Sequence, residues 1–333
     1  MPLIRNSSFA PTTFFRHAHM DTVLPSALRR LSALPVQRIR IDTPDHDFLD
    51  LDYYNDGQSH KVAILSHGLE GSSSQAYILG MAKALAAQGW DSVAWNFRGC
   101  SGEPNRLLRF YHSGATEDLQ SIVNHVSTTQ RYQKIALIGF SLGGNLTLKY
   151  LGDLGDQINP RIYKAVAFSA PCDLKSCAHL LALPANRFYM WRFMRSLKTK
   201  MRDKAKRFPD KLDTHDLNQM RTFAEFDDQY TAPLHGFNGA VDYWTRCSSK
   251  PVLKHIHIPT LLVNARNDPF LASECYPEKE AAEHPYFHFE APDYGGHVGF
   301  MTSRPNGEYW SETRTLEFLN KAQTPTPKEN GAS

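Results

Sequence analysis

The chain has 333 residues, 41% of them hydrophobic and 21% charged, with a formal net charge of +3. That length accommodates one large α/β domain with an insertion, and charge so evenly mixed points to no polyanionic partner; no nucleic-acid-binding module is present. Nowhere do eighteen uncharged apolar residues run together, and the opening "MPLIRNSSFAPTTFFRHAH" lacks a continuous apolar stretch, so a soluble cytoplasmic protein is expected.

In chain order, "VQRIRID" (36–42) and "FLDLDYY" (48–54) alternate apolar and polar residues around the turn "TPDHD", which predicts an antiparallel hairpin. "KVAILS" follows as a buried strand, then a helix over about 75–88, the strand "DSVAWNF", a helix over 115–128, the strand "IALIGF" with its helix, and the strand "IYKAVAFSA". From 173 to 250 there are no strand-like runs; the segment is rich in Arg, Lys, Met and aromatic residues and predicts a helical cap inserted between two core strands. "PTLLVNA" (259–265) and "YFHFEAP" (286–292) complete the strands, with helices expected near 274–284 and 308–321. Strands alternating with helices predict an α/β fold with a mostly parallel, doubly wound sheet. The expected division is an N-terminal extension packed on the core (1–35), core (36–172), cap (173–250), core (251–322) and a disordered tail (323–333).

The strand "IALIGF" ends at "GFSLGG", after which Leu142, Leu146 and Tyr150 recur at helical spacing. Ser141 therefore lies in a strand-to-helix turn between Gly139 and Gly143, the G-x-S-x-G nucleophile elbow. A serine hydroxyl is a poor nucleophile at neutral pH and needs a general base held by a third group. In enzymes built on this elbow the acid and then the histidine follow the serine along the chain. "NARNDPF" supplies Asp268 after a late strand, and "DYGGHVGF" supplies His297 after the last one. Asp293 is a rival acid but shares a loop with His297, while His284 and His288 are better explained by structure. For the oxyanion, the backbone N–H of Leu142 is one donor, and the loop "SHGLEGSSSQAY" offers Leu69 as the second. Gly68 and Gly71 let that loop approach the substrate, and His67 is expected to orient it. Five cysteines without C-x-x-C spacing, and the pairs His17/His19 and His255/His257 without nearby carboxylates, favour neither a disulfide framework nor a metal site, and this chemistry calls for no cofactor.

The stretches "HAHMDTVLP", "DTPDHDFLDLDY", "SHGLEGSSSQAYI", "NFRGCSGEPNRLLRFYHSGATEDL", "GFSLGGNLTLKYLGD", "NARNDPF" and "GGHVGF" together resemble the YheT-like esterase branch of the α/β-hydrolases, over about residues 9–320. The resemblance implies an α/β-hydrolase fold, Ser141, Asp268 and His297 as a catalytic triad, and hydrolysis of short-chain or lipid-like carboxylic esters. Relatives often carry two Asp before the proline where this chain has Asn267-Asp268. A thioesterase or acyltransferase with the same triad, and a binding protein on a hydrolase scaffold, are the alternatives. In the 96–114 loop, Arg98, Arg106, Arg109, Tyr111 and His112 are expected to hold the loop through bonds to backbone carbonyls, with a pocket rim as the other reading, and Cys100 to pack. In residues 188–208, Met190, Phe193, Met194, Leu197 and Met201 share one helical face. The remainder carries Arg192, Arg195, Lys198, Lys200, Arg202, Lys204, Lys206 and Arg207. The plain expectation is a lid with solvated charges; the sharper one is peripheral contact with an anionic membrane.

Overall fold

The computed structural model describes residues 3–11, 16–32, 34–54, 57–302 and 307–322; the tail expected at 323–333 lies outside them. In chain order the first elements are β1 (Leu3–Ile4), α1 (Ala18–Leu28), β2 (Gln37–Asp42), β3 (Phe48–Tyr54), β4 (Lys61–Ser66), α2 (Ala76–Ala86), β5 (Asp91–Asn96), α3 (Thr116–Thr128), β6 (Lys134–Phe140), α4 (Leu142–Leu154) and β7 (Ile162–Phe168). Between β7 and the next strand run α5 (Leu174–Leu181), α6 (Arg187–Arg207), α7 (Phe223–Phe226), α8 (Ala232–Leu234) and α9 (Ala240–Cys247). The chain then returns to the sheet with β8 (Thr260–Val263), α10 (Glu278–Ala282), β9 (Phe287–Glu290) and α11 (Trp310–Asn320).

The nine strands form one sheet in the order β1-β9-β8-β7-β6-β4-β5-β3-β2. Pairing is parallel except where β3 meets β2 and β5. Along β4 and β6, Val62, Ile64, Ile135 and Leu137 enter one apolar cluster, while Ala63, Leu65, Ala136 and Ile138 enter another on the opposite face. Both faces are thus covered, which is why these strands carry continuous apolar runs instead of alternating ones. The edge hairpin does alternate, and its register sets Arg38 opposite Asp52 and Arg40 opposite Asp50 as cross-strand ion pairs.

One local expectation changes. The helix expected at 274–284 is a short 3₁₀ turn, Ser273–Cys275, followed by α10, because Pro277 lies between them and supplies no N–H to carry the ladder through. The N-terminal segment also has structure of its own: β1 pairs with β9, and α1 lies against the loop that carries His297, whose N–H donates to Thr22 Oγ1 at 3.0 Å.

Candidate active site

β6 ends where Gly139 passes so close to α4 that a Cβ would stand 2.2 Å from the Gly143 carbonyl oxygen; at Gly143 a Cβ would meet Ser66 O at 2.4 Å. No side chain fits at either place, so the two glycines set the sharpness of the turn. Ser141 between them takes φ 54° and ψ −120°, a conformation that a non-glycine residue holds only when its surroundings impose it. Its own N–H donates to Phe168 O on β7 at 2.8 Å, which fixes the corner.

The strained corner aims the Ser141 hydroxyl at His297 Nε2, 2.8 Å away. On the other side of the ring, Nδ1 donates to Asp268 Oδ2 at 2.8 Å and lies 3.1 Å from Oδ1. A carboxylate can only accept, so the imidazole proton sits on Nδ1 and Nε2 presents a lone pair to the serine. The Asp268 side chain is fully buried, and its Oδ1 also accepts from Phe270 N–H at 2.9 Å. The Phe270 ring packs 4.2 Å from the imidazole. Asn267, next to the triad acid, holds the loops together: it donates to Asp21 Oδ2 at 2.7 Å and accepts from Gly296 N–H at 2.9 Å.

Leu142 opens α4, where the first N–H groups have no intrahelical partner. Leu69 is the second residue of a turn closed by Gly71 N–H to Gly68 O at 3.0 Å, and Glu70 takes the positive φ of 54° that a type II turn requires at its third position. Leu69 and Leu142 both face the space beside Ser141. The Gly68 N–H, by contrast, is spent on Tyr77 Oη at 3.0 Å; Gly68 serves instead by lacking a side chain, since a Cβ there would stand 3.1 Å from Ser141 Cβ. His67 does orient this loop. Its Nδ1 donates to Gly68 O at 2.7 Å, its Nε2 accepts from Phe97 N–H at 3.2 Å, and burial pushes its pKa down to about 4, so it stays neutral.

Two spaces meet at Ser141 and His297. One is an apolar cavity of about 110 Å³ whose walls include Phe110, Leu174, Leu181, Leu197, Phe226 and Trp244. The other is a cleft between α1 and the start of α6 that reaches the surface past Val23, Phe188 and Arg192. The apolar face expected on α6 is present: Met190, Met194, Leu197 and Met201 are buried, and Phe193 and Leu197 border the cavity. The solvated charges expected around it are only partly so. Lys198 reaches Asn218 O, Lys204 reaches Asn105 Oδ1 and Leu107 O, and Lys200 pairs with Glu70 at 2.6 Å.

The 96–114 loop is held mainly by carboxylates. Arg98 is buried between Asp118, Asp45 and Asp47, Arg106 pairs with Asp42, and Arg109 with Glu117. Of that set, Tyr111 and His112 border the cavity. Tyr111 Oη donates to Glu70 Oε1 at 2.6 Å, and Cys100 Sγ accepts from Lys200 at 3.3 Å. No motif marks Thr22, Asn267, Glu70 or Lys200 as a site residue, since each meets its partner only through tertiary packing.

Comparison with known proteins agrees with this architecture. Residues 57–275 match the family described as "Serine aminopeptidase, S33". "Putative esterase YheT" of Escherichia coli is 35% identical over 94% of this chain and 93% of its own. "Phospholipase ABHD3" of Mus musculus is 29% identical over 88% of this chain and 73% of its own. The esterase Pf2001 of Pyrococcus furiosus shares the fold with a TM-score of 0.58 at 18% identity, over 87% of this chain and 94% of its own. The elbow, the parallel sheet and these likenesses make the chain a member of that matched family, an α/β-hydrolase of the esterase and lipase type on the YheT-like branch.

Proposed function

We propose that this protein hydrolyses carboxylic esters through an acyl-enzyme on Ser141. The observation that carries the reading is the continuous chain of hydrogen bonds from Ser141 through His297 to Asp268. As Ser141 Oγ attacks the ester carbonyl carbon, His297 Nε2 takes the hydroxyl proton, and Asp268 stabilises the imidazolium that forms. Negative charge gathers on the carbonyl oxygen, where the N–H groups of Leu69 and Leu142 receive it. The C–O bond to the alcohol then breaks, and His297 gives its proton to the departing alkoxide. Water entering from the cleft repeats the sequence on the acyl-enzyme and restores the free serine.

The apolar cavity suits the acyl group and the open cleft the alcohol. Its size is of the same order as the roughly 150 Å³ cavities that admit benzene, so an acyl chain of a few carbons is the expected fit. The names of the mouse and bacterial relatives favour esters, lipid esters among them. A fluorophosphonate should label Ser141, and Ser141→Ala should lose hydrolysis of p-nitrophenyl butyrate by about 10³-fold or more while melting like the wild type. Comparable turnover by the purified variant would overturn the assignment.

A further inference from the structure

Of the eight large apolar side chains exposed among the described residues, four gather at one place. Met20 and Val23, 45% and 37% exposed, lie one turn apart on α1; Phe188 and Trp191, 57% and 56% exposed, lie one turn apart at the start of α6. The two helices meet where the His19 ring stacks on Tyr189 at 5.6 Å and its Nδ1 bonds the Tyr189 hydroxyl at 3.1 Å. Val23 and Phe188 are both walls of the cleft that descends to Ser141. With Met20 and Trp191 one turn away on the same two helices, these four side chains form an apolar collar beside the entrance to the site.

The collar is flanked by cations. Arg187, Arg192 and Arg195 are exposed, Arg195 lies 5.7 Å from the Trp191 ring, and α6 carries no acid before Asp203. Lys198, Lys200 and Lys204, which the sequence pattern counts with them, are occupied inside the protein and add nothing to this surface. Two exposed aromatic rings, two aliphatic side chains and three guanidinium groups suit one surroundings: the boundary between acyl chains and phosphate headgroups, where rings enter the interface and arginines meet phosphate.

We propose that this collar docks the protein on an anionic phospholipid bilayer, with the mouth of the cleft facing the headgroups. The consequence for substrate rests on the ester-hydrolase reading above: an ester resident in the bilayer would reach Ser141 without crossing bulk water. A protein seated on the same collar would close the cleft, whereas a lipid surface supplies what the cleft admits.

The test is cosedimentation of the full chain with vesicles of phosphatidylcholine, with and without phosphatidylglycerol, at low and high salt. Binding is expected to vesicles containing phosphatidylglycerol and to weaken with salt. Arg195→Ala should reduce it about fivefold, the equivalent of about 1 kcal/mol for one basic residue at an anionic surface. Trp191→Ser should reduce it about tenfold. Neither residue borders the cavity or the cleft, so both variants should keep wild-type circular dichroism and wild-type hydrolysis of a water-soluble ester. Absence of wild-type binding to anionic vesicles at low salt, or binding unchanged in both variants, overturns the proposal, as does capture by a protein partner without vesicle binding. Ser141→Ala separates the two readings. If it binds vesicles while the wild type cleaves no ester, docking stands and the hydrolase reading fails; a wild type that cleaves soluble ester but ignores vesicles gives the reverse.

Discussion

Asp227 brings a carboxyl group into the wall of the apolar cavity. Thr231 Oγ1 donates to it at 2.6 Å and Trp244 Nε1 at 2.8 Å, but burial outweighs both and pushes its pKa up to about 6. In the unfolded chain the same group titrates near about 3.9. Between these values the folded state binds more protons than the unfolded one, so stability falls as pH rises through that window, and the loss persists above it. Asp227→Asn removes the buried charge while an amide can still accept from Trp244 and donate to Thr231 Oγ1. We expect it to raise stability by about 1–2 kcal/mol near about pH 8 and to change little near about pH 4.5, where wild-type Asp227 is protonated. Thermal unfolding at the two pH values checks this, and a variant less stable at both would refute it. The residues of the proposed triad carry local sequence signatures that this one lacks. Ser141, Asp268 and His297 each follow a strand in a fixed order, and the structure brings them within hydrogen-bonding distance of one another. No local signature marks Asp227 or Thr22, because neither belongs to a strand end or an elbow and their roles arise only where distant segments pack.

Helix α6 carries more than a lid face. Glu70, the residue after Leu69, holds a positive φ that its side chain stabilises: Oε1 accepts from Lys200 Nζ and Tyr111 Oη, both at 2.6 Å, and Oε2 accepts from Ser196 Oγ at 2.5 Å. Two of those three donors stand on α6, so the cap helix holds the turn that presents the Leu69 N–H. On the proposed chemistry Glu70 and Lys200 are positioning residues, and their contribution belongs to the transition state, when the oxyanion forms. Lys200→Met should therefore lower kcat toward p-nitrophenyl butyrate by about tenfold with KM changed less than about twofold, and Lys200→Arg should recover part of the loss. A change confined to KM, or to melting temperature, would leave the pair with a structural role alone. The stripe from Met190 to Met201 was legible because helical periodicity is local. The inward course of Lys200 was not, since a lysine beside an apolar stripe usually keeps its charge in water, and its carboxylate partner lies 130 positions away.

Across the whole molecule, the segment that follows α1 meets the last helix, α11, at one buried ion pair. Arg29, just past α1, lies 2.6 Å from Glu312 in the first turn of α11, with both side chains 3% exposed. Gly80 in the middle of α2 makes room for them: a Cβ there would stand 2.1 Å from Glu312 Oε1 and 2.5 Å from an Arg29 nitrogen. Arg29 also lies over the Tyr309 ring at 3.7 Å, and Glu312 Oε2 accepts the Tyr309 N–H at 2.9 Å. Burial still outweighs the attraction, because the Glu312 carboxyl is held above its ordinary pKa despite the guanidinium beside it. A pair in this condition adds little net stability, yet losing one member leaves a buried charge uncompensated. Arg29→Met should thus cost about 3–5 kcal/mol, whereas Arg29→Met with Glu312→Gln should cost less than the first substitution alone, since a neutral amide can remain under Gly80 and still accept from Tyr309. Urea unfolding of the wild type, both single variants and the double variant measures the coupling. Single costs that simply add would mean that the N-terminal segment is held by its contacts near His297 and by the β1 pairing, and that the ion pair does not couple α1 to α11.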